Sequence, residues 1–114
     1  MLTIDALREF GANVDEGLAR CMNNESFYLR LVRMALEDQG IERLKAAVEH
    51  DDRKAAFEAA HALKGMLGNL ALTPLSVPAS EMTELLRAGK EADYDAYVAQ
   101  IAEARDQLRA LDLS

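Results

Sequence analysis

Lys54-Ala55-Ala56-Phe57-Glu58-Ala59-Ala60-His61-Ala62-Leu63-Lys64-Gly65-Met66-Leu67-Gly68-Asn69-Leu70 acquires two distinct faces when wound as a helix. At about 100° per residue, Lys54, Phe57, Glu58, Lys64, Gly65 and Gly68 share the side of His61. Ala56, Ala59, Leu63, Met66, Leu67 and Leu70 collect on the other side as a core stripe. The imidazole therefore points away from the core, with two glycines on its own face. A mid-helix Gly costs roughly 1 kcal/mol against Ala, so the pair gives up about 2 of the ~5–15 kcal/mol typical of a whole domain. Outward glycines recover none of that by packing. They leave clear space beside the histidine for the backbone of another molecule.

Working outward, Thr3 caps a short helix carrying Ile4, Leu7 and Phe10, which Gly11 closes. Asn13 and Glu16 resemble a capping box for a second short helix, Val14 to Met22. From Asn23 or Asn24 to His50 the stripe Leu29, Val32, Leu36, Gly40, Leu44, Ala47 keeps its phase. That continuity predicts one long helix, with any bend at Gly40. Asp51 and Asp52 make the turn and cap the His61 helix, expected to run to about Ala71. A further helix begins near Thr73-Pro74, carries Leu75, Ala79, Met82 and Leu86 inward, and ends at Gly89. Pro78 donates no hydrogen bond and would clash with the carbonyl of Pro74, which predicts a loose or kinked first turn. Asp93 caps a last helix with Tyr94, Val98, Ile101, Leu108 and Leu111 inward. The expected fold class is all-α: an antiparallel up-down four-helix bundle with short extra N-terminal helices.

With 114 residues, half of them apolar, the chain can bury roughly two-thirds of its unfolded surface as one domain. Abundant Ala and Leu, two prolines and few β-branched residues favour helices over sheets. A net charge of −7 argues against nucleic-acid binding, which needs a basic stripe, and suits a monomer that stays dispersed. No apolar run approaches the ~20 residues that span a membrane, and Met1-Leu2-Thr3-Ile4-Asp5 does not read as a signal peptide. A single cysteine cannot form an internal disulfide, so a reducing cytoplasm is the expected compartment. Cys21, near Leu18 and Met22 with no histidine close by, reads as a core residue.

His61-Ala62-Leu63-Lys64-Gly65, followed by Gly68-Asn69-Leu70, resembles the signature of histidine-containing phosphotransfer (HPt) domains, which relay a phosphoryl group in multistep two-component signalling. Asn13-Val14-Asp15-Glu16-Gly17-Leu18-Ala19-Arg20 and Phe27-Tyr28-Leu29 also resemble segments of that family, so the resemblance extends over nearly all of residues 1–114. The family usually has Gly two residues after the Asn, where this chain has Ala71. That position lies off the His61 face, so a changed helix exit is expected with the chemistry kept. Met66 and Leu67 are bulkier than is common there, and both point to the core.

The resemblance implies that His61 accepts a phosphoryl group from an aspartyl phosphate on a response-regulator receiver domain, that of a hybrid sensor kinase included, and passes it to another receiver. Lys64 would place its ammonium against the phosphoryl oxygens. Gly65 and Gly68 would make docking space, with Phe57 as an apolar contact. Magnesium and the carboxylates that hold it would come from the receiver, so no cofactor or metal site is expected in this chain. The residues suit this chemistry independently, because a neutral imidazole is a good nitrogen nucleophile and phosphoryl transfer asks mainly for positioning and charge stabilisation. No Gly-rich phosphate loop is present. The chain is expected to carry phosphate without being an enzyme and without phosphorylating itself.

Each of these residues also has an ordinary reading. A lone exposed histidine is usually just solvated, and Lys64 alone would be a surface lysine pairing with Glu58 or Asp52. Together on one face with two glycines, they favour a site. Phe57 is open between a core-edge residue and a partner contact. Glu58 is expected to pair with Lys54, Asn69 to brace backbone near the helix end, and His50 to end its helix beside Asp51. The methionines are expected to fill the core. Glu58-x-x-His61 matches the spacing of metal-carboxylate bundles, but such a site needs a second Glu-x-x-His, and Ala47 stands three residues before His50. An adaptor that binds a receiver-like partner without transferring phosphate is the remaining alternative.

Overall fold

The computed structural model describes all residues, Met1–Ser114, and every regular element in it is a helix. In order these are α1 (Ile4–Phe10), α2 (Val14–Arg20), α3 (Glu25–Glu37), α4 (Gly40–Glu49), α5 (Arg53–Asn69), α6 (Thr73–Arg87) and α7 (Tyr94–Leu113). Side-chain caps account for most starts. Thr3, Asn13, Asn24, Asp52 and Asp93 each accept the backbone N–H three residues on, satisfying donors that a first turn leaves free. The capping box at Asn13 is only half formed. The Asn13 N–H is taken by the carbonyl of Ala71 at 2.9 Å, so Glu16 instead receives the Asn13 side-chain amide.

One long helix over 24–50 is not what forms. Asp38 is extended (φ −64, ψ 142) and separates α3 from α4. Its Oδ2 accepts the Gly40 N–H at 2.8 Å. A Cβ on Gly40 would lie 2.7 Å from that oxygen and 2.8 Å from Leu63 Cδ2. Glycine is thus required by close approach of α5 as well as by the turn. The end of α3 is tied to α7 by the Arg109 guanidinium, which donates twice to the Leu36 carbonyl. The apolar stripe keeps its phase across this break, with Val32, Leu36, Gly40, Leu44 and Ala47 all buried.

Helices α4, α5, α6 and α7 contact one another in a ring, α7 closing back onto α4. Leu44, Leu63, Leu75, Met82, Ile101 and Leu108 fill its centre. Pro78 is buried within α6 without interrupting it. Met82 alone among the methionines is fully buried, while Met22 and Met34 stand exposed and Met66 is half-buried. No helix is long and apolar enough to cross a membrane.

The exit of α5 decides how the short N-terminal helices are used. The Leu72 N–H reaches the Leu67 carbonyl and the Ala71 N–H reaches Gly68, both at 3.0 Å. This is a Schellman closure with Ala71 at φ +56, a conformation that normally selects glycine. Carbonyls at this helix end also take partners from the N-terminal segments. Leu70 accepts the Tyr28 hydroxyl at 2.7 Å, Ala71 accepts the Asn13 N–H, and Gly68 accepts Arg20 at 2.5 Å. Helices α2 and α3 therefore anchor one end of the helix that carries His61.

Candidate functional site

His61 lies near the middle of α5 and is exposed, while Ala56, Ala60, Leu63 and Leu67 turn inward. The helix phase read from sequence is the one observed, save that Ala60 takes the buried place expected of Ala59, and that Ala59 and Met66 are half-buried at the edge of the core. A Cβ built on Gly65 or on Gly68 would meet nothing within 4 Å. Both glycines therefore border open space, and neither is required by the packing of this chain. Arg20, His61, Lys64, Gly65, Gly68 and Asn69 line one shallow depression with no hydrophobic residue among them. Such a wall suits a charged, hydrated group.

Phe57 is half-buried and does two things. It packs against the core, and its ring stacks on the imidazole with centroids 5.7 Å apart and planes 7° apart. Phe57 thereby borders one side of the His61 ring in an offset stack and restricts its orientation. The Arg87 guanidinium sits 5.2 Å from the Phe57 centroid, completing a cation–aromatic–imidazole pile.

Lys64 pairs with neither Glu58 nor Asp52. Its Nζ lies 3.5 Å from Glu84 Oε1 on α6, whose other oxygen is 3.4 Å from Arg87 Nε. The packing of α6 against α5 brings Glu84 within reach, whereas Asp52 is occupied in capping Ala55. Glu58 and Lys54 are both exposed and form no ion pair. The Asn69 side chain makes no hydrogen bond within the chain and faces the depression, so it does not brace the helix end; Arg20 and Tyr28 do. His50 closes α4, its Nδ1 at 2.7 Å from the Ala46 carbonyl, far from this arrangement in role.

Sequence reading missed three residues here: Arg20, Glu84 and Arg87. Arg20 lies in α2, pairs with Glu16, and enters the depression through its bond to Gly68. The spacing of Glu84 and Arg87 marks them as neighbours on one helical face. Nothing in a single sequence sets the register of α6 against α5, so their pairing with Lys64 and Phe57 was not legible.

The site offers a nucleophilic nitrogen, an ammonium one turn further on, and an unobstructed approach between them. It contains no cluster of His, Cys, Asp and Glu able to hold a metal ion. A family model described as Hpt domain matches residues 28–111, a span that includes His61, Lys64, Gly65 and Gly68 and leaves α1 and α2 outside it. Comparison with curated proteins and with solved structures returned no match.

Proposed function

Because this chain belongs to the Hpt domain family, whose role is histidine phosphotransfer in phosphorelay signalling, we propose that His61 is its phosphoacceptor. The P–O bond of a receiver's aspartyl phosphate breaks, a P–N bond forms at an imidazole nitrogen, and the ring proton leaves to solvent. The reverse exchange, onto a second receiver, discharges the carrier. Lys64 neutralises charge on the phosphoryl oxygens, and Gly65 and Gly68 let the receiver's backbone approach. Phe57 restricts the ring, so its role lies in orienting His61 as well as in contact.

One observation carries this reading: an exposed imidazole whose helical face is kept clear by two glycines that the fold itself does not need. Partners are receiver domains, a hybrid kinase's among them, which supply magnesium; this chain supplies none and acts as a monomeric carrier without turnover of its own. Residues 1–114 act as one domain, since α2 and α3 close the end of α5. We read the α4–α7 ring, with its short connections at 50–52, 70–72 and 88–93, as an antiparallel up-down four-helix bundle. The single buried Cys21 fits a reducing cytoplasm.

Incubation with a phosphorylated receiver tests the assignment. His61→Gln abolishes acquisition of an acid-labile, base-stable phosphate, and His50→Gln leaves it nearly intact. Retained labelling of the His61 variant removes His61 from the mechanism. Binding without labelling of the parent makes the domain an adaptor.

A further inference from the structure

On the phosphocarrier reading, we propose that Glu84 is a positioning residue that sets how tightly His61 holds its phosphoryl group, acting through Lys64. Its carboxylate stands at the root of both arms of the site. Oε1 is 3.5 Å from Lys64 Nζ, and Oε2 is 3.4 Å from the Arg87 Nε that leads, through Phe57, to the imidazole. While His61 is bare, the lysine charge is already answered by Glu84. A phosphoryl dianion on the imidazole competes for the same ammonium, so Lys64 can serve it fully only by leaving the carboxylate. The phosphorylated state is thereby held less tightly than Lys64 alone would hold it. For a carrier that must release its cargo, weaker holding favours onward transfer.

The side chains of Lys64 and Glu84 are 37% and 57% exposed, so water screens the contest and its size is a few-fold. A pair of this kind is worth up to about 1 kcal/mol, or roughly fivefold in an equilibrium. Only the Coulombic exchange depends on the charge of Glu84; its shape does not.

N-phosphoimidazole is the probe that reads this directly. A P–N bond breaks in the donor and a P–N bond forms at His61, while the His61 ring proton ends on the released imidazole. Bonds and charge balance on both sides, so the equilibrium constant, followed by phosphorus NMR, reports only the surroundings of His61. Glu84→Gln should raise that constant about 2- to 5-fold, with unchanged melting. The gain should shrink in ~1 M salt. It should also be much smaller in a Lys64→Ala background, where there is no ammonium left to release. An unchanged or lowered constant for Glu84→Gln, in a parent that labels at His61, overturns the role of Glu84 and leaves the phosphocarrier reading standing. A gain that survives undiminished without Lys64 also overturns it, because the effect then bypasses the lysine. A parent that never labels at His61 overturns the phosphocarrier reading and this inference with it.

Discussion

Gly65 separates the needs of the fold from those of the site. It is exposed on the His61 face, and a Cβ there meets nothing within 4 Å, so helix propensity alone decides what a larger residue does to stability. Leu is the better helix former, and Gly65→Leu should hold or raise stability by up to about 1 kcal/mol. On the proposed mechanism, the same side chain fills the space beside the imidazole that an incoming aspartyl phosphate would need. Phosphotransfer from a receiver should therefore fall by orders of magnitude in a protein that melts no earlier than the parent. Normal transfer by a stable variant would show that the glycines are not docking space. This much of the site was legible, because His61, Lys64, Gly65 and Gly68 lie on one helix whose period fixes their common face. Glu84, Arg87 and Arg20 come from α6 and α2 and reach the site only through packing between helices, which no single-helix period encodes.

Among the elements, starts were easier to read than ends. Thr3, Asp52 and Asp93 cap where the sequence places them, and Asn24 is the one of Asn23 and Asn24 that caps, since the capping oxygen and its N–H lie three residues apart. The break at Asp38 was hidden because the apolar stripe keeps its phase across it, and the reasons for the break lie in Leu63 and Arg109, distant along the chain. The exit of α5 is the other case. Ala71, at φ +56 and 6% exposed, occupies the left-handed position of a Schellman closure. Left-handed backbone costs a residue with a Cβ roughly 1–2 kcal/mol, which offsets about 0.8 kcal/mol of buried methyl together with the backbone entropy glycine loses. Ala71→Gly should thus change stability by less than about 0.5 kcal/mol. Ala60→Gly, an identical change at a fully buried interior position of the same helix, should lose about 1–2 kcal/mol. Denaturant unfolding of the two variants measures the difference, and equal losses would show that Ala71 carries no left-handed strain.

For the molecule as a whole, Tyr28 is the residue through which α2, α3 and the end of α5 hold together. Its ring lies so close to Gly17 that a Cβ there would be 2.6 Å from Cε1, and its hydroxyl donates to the Leu70 carbonyl. The phenol is fully buried, and that burial, with a smaller contribution from Cys21, pushes its pKa up to about 12 from an ordinary 10.0. The sign follows from which form the fold prefers. The native state favours the neutral hydroxyl, whereas in the unfolded chain the group ionises freely above pH 10. Stability contributed by Tyr28 is therefore complete below pH 10 and drains away as the pH rises towards about 12. Tyr28→Phe deletes the donor and leaves the buried Leu70 carbonyl unpaired, a loss of about 1–3 kcal/mol near neutral pH. Phenylalanine cannot ionise, so the variant lacks the alkaline loss that Tyr28 imposes on the parent. Other groups, including Tyr97, whose pKa is raised by burial and by Glu81, titrate alike in both proteins and cancel in the difference. Denaturant unfolding across this range should show the two stabilities converging between pH 10 and about 12. A gap that stays constant through that window would mean that the Tyr28 hydroxyl meets water in the native state, and that α2 does not seal the end of α5.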